Sequence, residues 1–150
     1  IGVWVSFRYS KMRKEVIQRI TPKRTKIVTD YGEYTNRDHF YKMTDELKKL
    51  FVKKKIKDNY ECLIIGLGNV YSTADALGPL TINNILVTRH LFTLDFDVKE
   101  GMRCVSAISP GVMGQTGIET SEIIQNLVNT VKPDFILVID FIWIKSFNII

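Results

Sequence analysis

The sequence predicts an α/β domain on a mainly parallel central sheet, and three observations predict it. Short apolar runs recur at 62–66, 103–108 and 134–139; glycine-bearing loops follow the first two; helical patterns fill the intervals. Strand, helix, strand, helix, strand with helices of roughly 13 to 15 residues implies right-handed crossovers, which put every strand's C-terminal end on one side.

The first strand is the run Cys62-Leu63-Ile64-Ile65, punctuated by Gly66 and Gly68. A polar stretch leads to Asp75, and a helix is expected over about 77–91, with Asp75 placed to cap it. Gly78-Pro79 fits only near its first turn, where a missing N–H costs little. The second strand, 103–108, leads into the loop Ser109-Pro110-Gly111-Val112-Met113-Gly114-Gln115-Thr116-Gly117. Glycine at this density lets backbone approach a ligand closely, so Gly111, Gly114 and Gly117 are candidate substrate-binding positions. Thr116 and Glu119 have capping-box spacing, and Ile123, Ile124, Leu127, Val128 and Val131 form one apolar stripe before Pro133 stops the helix. The third strand, 134–139, ends at Asp140.

Upstream, Phe40, Met43, Leu47, Leu50 and Phe51 recur at spacings of three and four, which predicts an amphipathic helix from Arg37 to about Lys55. Residues 9–37 are polar and weakly patterned, and little structure is expected there. The chain thus divides into a basic N-terminal segment, 1–60, with one amphipathic helix, and an α/β unit, 61–150. Ile1 opens the chain without an initiator Met or the basic start of a signal peptide, and both ends read as those of a fragment.

One domain is the expectation for 150 residues that are 45% hydrophobic. The net charge of +5 is uneven: residues 1–61 hold 16 Lys and Arg against 8 Asp and Glu, and the remainder is net acidic. Lys48, Lys49, Lys53, Lys54, Lys55 and Lys57 suit the solvated face of a helix better than a nucleic-acid footprint, so direct nucleic-acid binding is not expected. The most hydrophobic run, 135–144, is ten residues long and contains Asp140, too short and too polar to span a bilayer. Cys62 and Cys104 lie in apolar strand-like runs and read as buried thiols of a reducing compartment.

Asp75 and Asp140 are the candidate catalytic pair, because each follows a strand at the sheet edge where open α/β sheets collect their chemistry. One protonated and one ionised carboxyl group can together polarise a carbonyl and activate water. Two carboxylates about 5 Å apart at an effective dielectric near 20 repel by roughly 3 kcal/mol, about 2 pKa units. The bland alternative is that each aspartate only caps the segment after it. Gly66-Leu67-Gly68 does not make a dinucleotide turn, since Tyr71 stands where the third glycine belongs. His90 has no second histidine near it in sequence and reads as a packing or surface residue; Asp75 and Asp140, with an oxygen from Asn69, are the remaining set for a cation. Ser106 and Ser109 lack the Gly-x-Ser-x-Gly frame, and Met113 reads as packing. No cofactor and no metal are expected.

Several strings, however, carry a specific likeness: Gly66-Leu67-Gly68-Asn69, Thr73-Ala74-Asp75-Ala76-Leu77-Gly78-Pro79-Leu80, Leu86-Val87-Thr88-Arg89-His90-Leu91-Phe92, the run from Ser106 to Thr120, Lys132-Pro133-Asp134-Phe135 and Val138-Ile139-Asp140. Together they closely resemble the spore germination protease family. The resemblance implies an atypical aspartic endopeptidase that degrades small acid-soluble spore proteins during germination, made as a zymogen, assembled as a homotetramer and working in the cytoplasm of the forespore and spore core. It also implies a three-layer fold similar to that of hydrogenase-maturation endopeptidases, which is phosphorylase/hydrolase-like. The family's two essential aspartates match Asp75 and Asp140. After Asp140 the chain reads Phe141-Ile142-Trp143-Ile144-Lys145, where the family continues with small residues, and a C-terminal truncation is expected. Two further readings are a metal-assisted maturation-type peptidase and an inactive fragment or non-catalytic basic binding module.

Overall fold

The computed structural model describes residues 2–7, 26–27, 36–94 and 98–141, with side chains for 44–94 and 98–140. Its centre is a five-stranded sheet, parallel throughout, built from β1 (Gly2–Phe7), β2 (Lys26–Ile27), β3 (Cys62–Gly66), β4 (Val105–Ile108) and β5 (Phe135–Phe141) in the order β2-β1-β5-β3-β4. The helical elements are α1 (Asn36–Lys53), α2 (Leu77–Ile82), α3 (Arg89–Thr93), α4 (Met113–Thr116) and α5 (Thr120–Val131), with a single 3₁₀ turn at Thr73–Asp75.

Strand side chains alternate between two faces, and each face has its own core. Leu63, Ile65 and Leu67 join Ile136 and Val138 beneath Ile124, Leu127 and Val128 of α5. Cys62, Ile64, Phe135, Leu137 and Ile139 point the other way, against Leu50 and Phe51 of α1 and Ile82 of α2. Helices therefore cover the sheet on both sides, which is why β3 is buried along its whole length and reads as an unbroken apolar run. Ile124, 1% exposed, is the central knob of the expected α5 stripe. Burying such a side chain stabilises by about 1.5–3 kcal/mol. Lys132 then takes a left-handed conformation, its N–H closing on the Val128 carbonyl, and Pro133 comes next.

The N-terminal ends of the strands are tied together by polar contacts. The Arg103 guanidinium donates through Nη1 to the Lys57 and Tyr60 carbonyls at 2.7 and 2.8 Å, and lies 5.4 Å from the Phe135 ring centroid. Asp134 accepts from the Glu61 N–H at 2.7 Å, and the Phe135 N–H reaches the Glu61 carbonyl at 3.2 Å. Phe51 meets Phe135 edge to face, with centroids 5.6 Å apart.

Several expectations are corrected. The helix expected over 77–91 is two short helices, α2 and α3, because Asn83 and Asn84 turn the chain after Ile82. Thr88 then plunges inward, its hydroxyl donating to the Arg103 carbonyl at 2.5 Å and accepting from the Val105 N–H at 2.9 Å. The residue at the N-cap of α2 is Ala76 rather than Asp75. Pro79 does lie in the first turn of α2, as its missing N–H requires. The N-cap of α5 is Glu119 without a side-chain cap, and Thr116 instead closes the separate turn α4. The strand expected to end at Ile139 runs on through Asp140 to Phe141. β1 and β2 fall where no strand was expected. The polar stretch 8–35, apart from Lys26–Ile27, and the apolar segment 142–150 lie outside the described residues.

Candidate active site

β3 runs to β4 in one direction across the sheet, and β4 returns through α5 over the opposite face to β5, on the other side of β3. The carboxyl ends of β3 and β5 are therefore the topological switch point, the crevice where ligands bind in open α/β sheets. Both candidate aspartates belong to this place. Asp140 is the sixth residue of β5, in register with Ser6 of β1, and is fully buried. Its even position puts it on the sheet face shared by Ile136 and Val138. Next to it, the Leu67 N–H donates to the Ile139 carbonyl at 2.8 Å, so the chain leaving β3 is hydrogen-bonded to β5 immediately before Asp140.

Asp75 ends the 3₁₀ turn, is half-buried, and that turn contacts β5. Two close approaches bring it there. Gly66 and Gly78 are packed backbone to backbone: a Cβ on Gly66 would stand 2.3 Å from the Gly78 carbonyl oxygen, and one on Gly78 would stand 2.2 Å from the Leu67 carbonyl oxygen. Gly68, at φ +128°, leaves room for Asp75, since a Cβ there would fall 2.0 Å from the Asp75 carbonyl oxygen and 3.3 Å from its carboxyl carbon. That φ is strained for any residue with a side chain. The glycines after β3 are thus spent on admitting the Asp75 turn and α2, not on a phosphate.

The loop after β4 closes on the same edge. Gln115 Nε2 donates to Asn69 Oδ1 at 2.9 Å, and the Tyr71 N–H donates to the same oxygen at 3.0 Å. Asn69, considered as a cation ligand, thus has its oxygen already accepting two hydrogen bonds. Gly111 is half-buried at φ +76°, while Gly114, inside α4, and Gly117, its left-handed C-cap at φ +70°, are exposed with open space where a Cβ would be. Met113, expected to pack, is 59% exposed on the same loop. The sequence signal for Gln115 was present only as one letter in the glycine-rich run; its role emerges from the contact with Asn69.

Of the other candidates, Ser109 opens the loop after β4 at this edge, and His90 and Ser106 lie away from it. His90 is an exposed residue of α3. Ser106 sits in β4 with its hydroxyl 3.5 Å from the Cys62 carbonyl, and Ser109 is exposed. Among the described residues no group of three or more His, Cys, Asp or Glu gathers as a metal site, and no helix is long and apolar enough to cross a membrane. Cys62 and Cys104 are free and buried; burial pushes the Cys62 thiol up to about 12 and raises that of Cys104. Lys48, Lys49, Lys53, Lys55 and Lys57 are exposed, with Lys49 2.7 Å from Glu46, as a solvated helix face and its extension would be.

A parallel α/β domain with one carboxylate in a strand and a second in the adjoining turn has the layout of an α/β protein that presents acidic groups at the ligand-binding edge of its sheet. Residues 10–150 match the family model described as germination protease. The chain belongs to the germination protease family. It is 48% identical over 119 residues to the germination protease of Geobacillus sp. (strain WCH70), covering 73% of this chain and 32% of the relative. The germination protease of Priestia megaterium is 54% identical over 98 residues, 64% of this chain and 26% of the relative. That of Halalkalibacterium halodurans is 54% identical over 92 residues, 61% of this chain and 25% of the relative. The chain thus spans about a quarter to a third of the length of the curated relatives it matches.

Proposed function

We propose that the chain carries the catalytic edge of an endopeptidase that degrades small acid-soluble spore proteins during germination, with Asp75 and Asp140 as its acid–base pair. The observation that supports this reading is that the turn carrying Asp75 contacts β5, the strand that holds Asp140, at the carboxyl edge of the sheet. In the reaction, one carboxylate takes a proton from a water molecule as its oxygen attacks the scissile carbonyl carbon. The other carboxyl group donates a proton to the carbonyl oxygen, and the collapse of the tetrahedral intermediate releases the amine after it too is protonated. The backbone of the 111–117 loop, with Gly111, Gly114 and Gly117, borders the cleft and shapes substrate entry.

The complete protein, on this reading, is made as a zymogen, assembles as a homotetramer and acts in the spore core. Its fold is of the hydrogenase-maturation endopeptidase type, which the parallel sheet with helices on both faces supports. The test is cleavage of spore-protein peptides by the chain and by a full-length relative carrying Asp75→Asn or Asp140→Asn at the matching positions. Each substitution is expected to lower kcat by about 10²–10⁴, the usual contribution of general acid–base groups. Full activity in either variant would overturn the assignment. Activity that survives exhaustive chelation would separate this reading from a metal-assisted one.

A further inference from the structure

We infer that Asn69 and Gln115 form a positioning pair that sets where Asp75 stands at the sheet edge, an inference that rests on the reading of Asp75 as an acid–base group. The segment between β3 and α2 is closed on itself through Asn69. The Asn69 N–H donates to the Asp75 carbonyl at 3.0 Å, the Asn69 carbonyl accepts from the Ser72 N–H at 3.0 Å, and the Ser72 carbonyl accepts from the Asp75 N–H at 2.8 Å. Asp75 is therefore gripped by both its N–H and its carbonyl, and each grip leads back to Asn69. The Asn69 side chain completes the ring by accepting from the Tyr71 N–H at 3.0 Å.

Beyond the glycine contacts that seat the Asp75 turn, the ring has an anchor on a second loop. Gln115 supplies that: Nε2 donates to Asn69 Oδ1 at 2.9 Å while its own Oε1 accepts from the Val112 N–H at 3.4 Å. Gln115 thus spans from the loop after β4 to the loop after β3, residues 46 apart in sequence. Gly111 fits this arrangement, because a Cβ there would stand 3.0 Å from Gln115 Oε1 and press on the side chain that makes the bridge. The base of the bridging loop is in turn fastened to α5, where the Thr120 hydroxyl donates to the Gly111 carbonyl at 3.2 Å. The path runs from α5 through Gly111, Gln115 and Asn69 to the backbone of Asp75. Neither Asn69 nor Gln115 has to touch substrate; they act through the place they give the carboxylate.

The test uses two readouts on the variants Asn69→Ala, Gln115→Ala, their double and Asn69→Asp. By amide hydrogen exchange on the whole chain, Asn69→Ala and Gln115→Ala are expected to speed exchange at Tyr71 and Asp75 by about tenfold or more, with the β3 amides unchanged. In peptide cleavage they are expected to lower kcat by about ten- to hundredfold with KM held, the cost of misplacing a reacting group by a fraction of an ångström to an ångström. The double variant should lose no more than the larger single loss, since the two residues act as one unit. Asn69→Asp keeps the acceptor oxygens and should keep the exchange protection at Tyr71 and Asp75. Unchanged exchange at Asp75 in both alanine variants overturns the pair, as does an unchanged kcat where Asp75→Asn is inactive. Full activity of Asp75→Asn instead removes the catalytic reading, and the exchange data still decide whether the pair holds the turn.

Discussion

Asp140 stands in β5 with hydrogen-bonded strands on both sides, β1 through the Ser6 register and β3 up to the Leu67 N–H. Asp75 stands in a turn of irregular backbone, held by a few loop hydrogen bonds and by glycines that let it come close. One carboxylate is therefore placed by the sheet and the other by a loop. A strand fixes position through many cooperative contacts, so a single distant change moves it little. A loop fixes position through a handful of groups, each of which counts.

The largest effect is expected at the carboxyl groups themselves. Asp75→Asn and Asp140→Asn should each cost about 10²–10⁴ in kcat. The comparison sharpens with the urea midpoints of the two variants. Asp140 is fully buried and Asp75 half-buried, so Asp140→Asn should shift the midpoint more, by an amount corresponding to about 1–3 kcal/mol. An equal shift for both would mean that the strand does not hold its aspartate more firmly than the loop does.

Next come the contacts that build the two supports. Ile124→Ala removes the central knob beneath β3 and β5 and should destabilise by about 2–5 kcal/mol in denaturant unfolding. Gly78→Ala puts a methyl group into the backbone of Leu67 and should cost about 1–3 kcal/mol or more. Because α2 comes directly after the Asp75 turn, Gly78→Ala should also lose activity beyond what its stability explains, whereas Ile124→Ala at low temperature should keep the activity of its folded fraction. The reverse pattern would break the distinction between strand-held and loop-held carboxylates.

Much of this is readable in the sequence, and the failures have physical causes. The α5 stripe and its Pro133 stop, β3 as a buried apolar run, and Pro79 in a first turn depend on local periodicity and backbone chemistry, which sequence states directly. β1 was missed because it is fixed by its pairing with β5, which lies far along the chain. The same nonlocal pairing extends β5 past Asp140, where an acidic residue had looked like a strand's end. The break between α2 and α3 depends on Thr88 finding partners in Arg103 and Val105, again a tertiary effect. Asp75 and Asp140 were expected at one edge because parallel topology brings strand ends there, and the turn holding Asp75 does contact the strand holding Asp140; the Asn69 to Gln115 bridge could not be expected, since no rule of spacing joins them.

Smaller effects separate the thiols from the site. Cys62, with its thiol pushed up to about 12 by burial, stays neutral in the folded chain at pH values where the unfolded thiol ionises. Its raised value stabilises the fold fully below the unfolded value near 9, and that contribution is lost as pH rises from there through about 12. At pH 8 an alkylating reagent should therefore leave Cys62 of the folded chain unmodified and peptide cleavage unchanged, and should modify Cys62 only under denaturing conditions. Rapid labelling of native Cys62 would show that β3 opens more readily than its burial implies.

The smallest expected effect is at Gly114, and it tests the loop side of the comparison most finely. Gly114 lies inside the short helix α4 with open space where a Cβ would project, so nothing among the described residues requires glycine there. Gly114→Ala should stabilise slightly, by about 0.5–1 kcal/mol, through the lower backbone entropy lost by alanine in a helix. If the loop borders a cleft that a peptide enters, the added methyl group should raise KM while kcat holds, because Gln115 and its bridge to Asn69 are untouched. Unchanged KM would detach Gly114 from substrate binding, leaving Gly111 to serve the loop through its room for Gln115.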